Sequence, residues 1–148
     1  MNQIRLLTGL SLTLVLTTLP AAPAEAASPI QFGRIQYDSP GKDTARAASV
    51  NGEYVTVTNR SARPVNVTNW TIRDLADHTY RFGAYTLPAR RTVVVRTGRG
   101  PNGPLVRHWN RGWHVWNNTG DKAVLRSATG SVVDTCLWLR SPGGWVNC

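Results

Sequence analysis

The chain has 148 residues, 41% of them hydrophobic, and a formal net charge of +9 at neutral pH. That bias implies attraction to polyanions and says nothing about fold. Past the first twenty residues no stretch is long and apolar enough for a membrane helix, which excludes a multi-span helical membrane protein.

The N-terminus is organised as a leader. Met1–Arg5 carries one positive charge, Leu6–Leu19 is apolar or weakly polar, and small residues Ala21–Ala27 follow Pro20. This is the layout of a secretory signal peptide over 1–26, with Ala24-Glu25-Ala26 as its cleavage pattern. An uncleaved anchor would need roughly 20 apolar residues. Removal takes away Arg5 and Glu25 together, so the charge of the 27–148 domain is unchanged. That domain is expected to be secreted, with one hydrophobic core.

Residues 27–34 read as a lead-in and Ile35–Tyr37 as a first strand. Asp38–Gly52 is polar and without period, and reads as a loop that is mobile or draped on the surface. Glu53–Thr58 alternates with period two and is rich in β-branched residues. After a turn at Asn59–Pro64 come short strands at Val65–Val67 and Trp70–Arg73. Asp74–Asp77 turns the chain into His78–Phe82. Leu87–Arg90 is a corner before the strand Thr92–Arg96. A Gly/Pro-rich excursion, Gly98 to Pro104, leads into the aromatic segment Trp109–Trp116. Asn117–Gly120 turns into Lys122–Arg126, and Ala128–Gly130 turns into Val132–Cys136. Turn signals every eight to twelve residues or so, with no sustained helical period, indicate an all-β sandwich or barrel.

Cys136 and Cys148 are the two cysteines. In an oxidising compartment they are expected to pair, stapling the tail Ser141–Asn147 back onto the strand that holds Cys136. Two Cys without an adjacent His pair make a poor zinc site.

Three parts of the chain carry a family likeness. These are Gly52–Asn59, Pro64–Asp74 with His78–Phe82, and Val115–Asn118 with Gly120–Arg126 and Gly130–Asp134. In this order and spacing they resemble the lamin tail domain over about residues 35–136. The paired cysteines and short tail are similar to secreted bacterial members. The resemblance implies an immunoglobulin-like β-sandwich without common catalytic apparatus, serving as an interaction or structural module. Trp70 with Ile72, Val55 with Val57, and Ala123 with Leu125 would then face the core.

Candidate chemistry is sparse. Asp74 and Asp77 could form a paired-carboxylate site, but a tight turn favours Asp for its own backbone bonds. His78, His108 and His114 are the only histidines. No carboxylate lies between residues 77 and 121 to complete a metal triad. No nucleophile elbow, P-loop or dinucleotide fingerprint occurs, so no enzyme activity, metal or cofactor is expected. A hydrolase using His108, His114 and an Asp is the remote alternative. The sequons at Asn59, Asn66, Asn69 and Asn117 read as turn and strand residues, with Asn69 in a core strand.

The informative stretch is residues 78–120. It holds seven Arg and no Asp or Glu, with Trp109, Trp113 and Trp116 interleaved. Arg grips phosphate or carboxylate in bidentate fashion and Trp offers a stacking face. Arg90, Arg91, Arg96, Arg107, Arg111 and Trp113 are the candidate contact set for nucleic acid or an anionic cell-wall polymer. A genome-wide preference for Arg codons would give the same composition, since only Lys42 and Lys122 are Lys. A protein partner, met by strand addition at a sheet edge, is the alternative.

Overall fold

The computed structural model describes residues 27–148, so the leader expected at 1–26 lies outside the described residues. Among the described residues, eleven strands form two main sheets and a separate two-stranded pair. One has the order β11-β1-β2-β7-β8 and the other β10-β9-β4-β5, with β3 and β6 paired separately. The strands are β1 (Ile30–Gln36), β2 (Tyr54–Asn59), β3 (Val65–Asn66), β4 (Thr71–Arg73), β5 (Thr79–Arg81) and β6 (Thr86–Leu87), then β7 (Thr92–Arg96), β8 (Val106–His108), β9 (Gly120–Arg126), β10 (Val132–Leu139) and β11 (Trp145–Asn147). All pairings are antiparallel except β7 with β8. The architecture is the expected immunoglobulin-like β-sandwich.

Alternation puts one face of each long strand inside. Val55 and Val57 of β2 pair with Val95 and Val93 of β7. Ile72 of β4 pairs with Leu125 of β9, and Cys136 of β10 with Ala123. All are buried in one cluster shared by the two sheets. Fully burying such a side chain contributes roughly 1.5–3 kcal/mol.

Several expectations need correction. The first strand begins at Ile30, so part of the expected lead-in 27–34 is strand. Its register against β2 shifts between Phe32 and Ile35. A bulge at Gly33-Arg34 breaks the two-residue alternation while keeping Ile30, Phe32 and Ile35 all inward. A Cβ at Gly33 would lie 2.7 Å from Thr56 Oγ1, so a larger residue there would push aside the hydroxyl that donates to the Arg34 carbonyl. Trp70 precedes β4 and packs only half-buried against the core, while Ile72 is fully buried. Asn69 is not in a core strand. It is exposed at a turn with φ 65°.

The segment 38–52 contains one helical turn, α1 (Ala47–Val50), and is tied to the body. Val50 is buried, Ser39 Oγ donates to the Ser49 carbonyl at 2.6 Å, and Asn51 Nδ2 donates to the Arg99 carbonyl at 2.8 Å. Cys136 and Cys148 form the expected disulfide. The tail also adds β11 to the edge of β1, so the bridge links one sheet to the other. A second tie runs beside it, where the Phe32 N–H donates to Asp134 Oδ2 at 2.7 Å.

Candidate functional site: two clefts around a tryptophan pair

The turn Asp74–Asp77 closes as turn chemistry predicts. Asp74 is buried, accepts the His78 N–H at 2.7 Å, and lies 2.6 Å from His78 Nδ1. Asp77 is exposed, with a left-handed φ of 70°, and pairs with Arg73 at 2.7 Å. The two carboxylates therefore serve different partners and form no acid/base pair.

The segment after β8 is pinned along the end of β7. The N–H groups of Trp109 and Arg111 donate to the carbonyls of Arg96 and Thr97 at 2.8 and 3.0 Å. This places Trp109 and Trp116 edge to face, with centroids 5.9 Å apart. Each ring lines its own cleft.

The Trp109 cleft, about 560 Å³, is bounded by Tyr80, Arg81, Asn102, Arg107 and His108 among others, with no carboxylate among its described lining residues. The Arg107 guanidinium carbon lies over Tyr85, 4.0 Å from the ring centroid, and the side chain donates to the Gly103 carbonyl. Arg81 donates to the Asn69 carbonyl at 3.2 Å. Each guanidinium has five N–H donors, so both keep donors to spare. Burial pushes the Tyr80 hydroxyl up to about 12, against the opposing pull of Arg107. Tyr85 is raised by the same balance, and its hydroxyl donates to the Pro104 carbonyl at 2.8 Å. Both phenols are therefore neutral at ordinary pH.

The Trp116 cleft, about 360 Å³, has the opposite character. Asp43, Asp74, Asp121, Trp113, His114 and Asn117 line it, with no Lys or Arg among its described lining residues. Asp121 is consumed structurally, accepting the N–H groups of Leu75, Asn117 and Lys122. Behind the cleft Glu53 is 1% exposed. Its Oε2 accepts the Val115 N–H at 2.9 Å. Its Oε1 lies 3.3 Å from His114 Nδ1, within ion-pair range but not aligned as a hydrogen bond. Burial pushes the Glu53 carboxyl up to about 8, only partly offset by the Val115 N–H. The other ring nitrogen, His114 Nε2, is 3.3 Å from Ser49 Oγ and 3.5 Å from Asp43 Oδ1.

A family model for the Lamin Tail Domain matches residues 23–140. The chain belongs to the lamin tail domain family. No curated protein matches it.

On this lamin tail domain the six candidate contact residues do not share one face. Arg90 and Arg91 sit at the corner before β7, and Arg90 donates to the Arg60 carbonyl. Arg96, at the far end of β7, donates to the Asn51 carbonyl at 2.7 Å and lies over Tyr54. Arg111 lines a third cleft with Arg99, Arg107 lines the Trp109 cleft, and Trp113 the Trp116 cleft. His108 and His114 line different clefts, and no group of three potential metal ligands occurs among the described residues.

Asp43 and Glu53 were missed as neighbours of His114 because they lie far upstream. A signal existed for Glu53. It stands two residues before Val55 and four before Val57, on the inward parity of β2, where a carboxylate needs a partner.

Proposed function

We propose that this lamin tail domain is a secreted, non-catalytic binding module that holds an anionic polymer, nucleic acid or anionic wall polymer, in the Trp109 cleft. The observation that carries this reading is the Arg107 guanidinium, held on the Tyr85 ring in a cleft that also offers Arg81, His108 and Trp109 and has no carboxylate among its described lining residues. A planar fork held in advance loses little freedom on binding phosphate. The remaining basic residues act as a diffuse field that draws the polymer in. The cystine supports export, since such bridges persist in oxidising compartments.

The test is a salt-titrated anisotropy assay with labelled single-stranded DNA and with poly(glycerol phosphate). Binding at about 50 mM salt is expected, with log affinity falling linearly against log salt. On single-stranded DNA, replacing Arg81 and Arg107 with Ala should lower that slope by about 1.4, roughly 0.7 for each phosphate that is no longer neutralised. Absence of binding to both polymers at about 50 mM salt overturns the reading.

A protein partner is the second reading, and one observation favours it. Leu137 and Leu139 stand 69% and 79% exposed on β10, a sheet edge open to strand addition. A biotinylated strand peptide that protects the β10 amides from exchange would support it.

A further inference from the structure

We propose that the Trp116 cleft is a second, separate binding site, and that its ligand is a short uncharged oligosaccharide stacked on Trp113. The argument begins with exposure. Trp116 and Trp138 are 3% and 4% exposed, whereas Trp113, on the rim of the cleft, is 54% exposed. A large flat ring left half in water is a candidate contact surface.

The ring is also held. It meets His114 edge-on, with centroids 5.4 Å apart and an interplanar angle of 87°. The His114 imidazole is held in turn by Ser49 Oγ, 3.3 Å from its Nε2. A platform anchored this way loses little freedom when something stacks on it. The apolar C–H face of a pyranose ring matches an indole face in size and chemistry.

The polar lining supplies the other half of the recognition. Asp43 Oδ1, an acceptor, and Trp116 Nε1, a donor, are both buried with no hydrogen-bond partner. Orphaned buried polar groups are uncommon and each asks for an explanation. Both residues line the cleft, and the partners their atoms lack are one donor and one acceptor, the two roles that a hydroxyl group combines. The cleft volume, about 360 Å³, falls within the roughly 300–1,000 Å³ typical of small-molecule sites.

Charge then selects the class of saccharide. Asp43, Asp74 and Asp121 line this cleft and no basic side chain does among the described residues. An anionic sugar would be repelled here and drawn to the Arg-lined cleft instead. A cation finds no claw of free carboxylates either. The oxygens of Asp74 are taken up by His78, and those of Asp121 by backbone N–H groups. An uncharged ligand remains.

Calorimetric titration of the full chain with cellotriose, maltotriose and tri-N-acetylchitotriose tests this, with trigalacturonate as the anionic control. At least one neutral trisaccharide should bind saturably with Kd below about 1 mM. Trp113→Ala should weaken it at least about tenfold without moving the thermal midpoint, because the ring is half exposed, and Trp113→Phe should recover part of the loss. Asp43→Ala should weaken it as well, whereas Asp43→Asn, which keeps an acceptor, should bind within about twofold of the parent. Replacing Arg81 and Arg107 should leave saccharide binding unchanged, so failure here and failure of the polyanion reading are distinguishable. The proposal is overturned if none of the three neutral sugars binds at about 5 mM. Trp113→Ala binding as tightly as the parent, or trigalacturonate binding more tightly than the neutral sugars, overturns it too.

Discussion

Trp109 and Trp116 meet edge to face with their centroids 5.9 Å apart, and each ring is the wall of a different cleft. One pair of indoles thus separates an Arg-lined hollow from an Asp-lined one. Trp116 also packs on Trp138, 5.5 Å away, so the wall is continuous with the core. Trp116→Ala should therefore cost about 3–5 kcal/mol in chemical denaturation, the range for large core truncations, and disturb both clefts together.

Arg107→Lys separates local recognition from overall charge. Net charge is unchanged, but a planar guanidinium over the Tyr85 ring becomes a point charge that cannot bind bidentately. Polyanion affinity is expected to fall severalfold in the anisotropy assay. Arg91→Lys, at the exposed corner before β7, should leave it within experimental error.

Gly100 bears on the same cleft from behind. A Cβ there would collide with the His108 imidazole. The His108 backbone N–H is held by Asn102 Oδ1 at 2.9 Å, so the ring itself must turn to admit the methyl group. Gly100→Ala should displace the His108 ring, shift its NMR resonances and weaken polyanion binding, while the Trp113 signals stay in place.

Glu53 makes stability fall with rising pH. Its folded carboxyl titrates at about 8 against a reference of 4.5, so between those values the unfolded chain has lost a proton that the folded chain keeps. The group's contribution is complete below the unfolded value. It is lost as pH rises towards the folded one, with a limiting slope of about 1.4 kcal/mol per pH unit. Glu53→Gln keeps an acceptor for the Val115 N–H and removes the titration. Urea unfolding at pH 5 and pH 8.5 should show the Gln variant losing less stability across the interval than the parent.

Cys136→Ser with Cys148→Ser should cost about 3 kcal/mol in the chain-entropy account, given a sequence separation of 12 residues. Hydrogen exchange at Trp145–Asn147 should accelerate most, because β11 pairs only with β1.

The sandwich was legible wherever a strand alternated cleanly, as Tyr54–Asn59, Thr92–Arg96 and Gly120–Arg126 do. It was obscured where an extra residue broke the parity, at Gly33-Arg34 in β1. It was also obscured where a strand is three residues long, as with Val106–His108, which is held by parallel pairing to β7 rather than by its own pattern. The seven arginines of 78–120 were visible as a composition. A strand spreads its flanks over its whole length, however, so Arg91 and Arg96 end at opposite ends of β7. The Trp116 cleft was the least legible part. Asp43 reaches His114 only through the docking of 38–52 against the body, an arrangement that no local spacing encodes.

The cystine between β10 and the last residue changes how the domain would carry load. Tension arriving at Cys148 would otherwise peel β11 from β1 one hydrogen bond at a time. Through the sulfur atoms it passes directly to Cys136, in mid-strand on the opposite layer, where β10 is paired along its length with β9. The tail then behaves as a closed buckle: the covalent link must be cut before the seam can unzip.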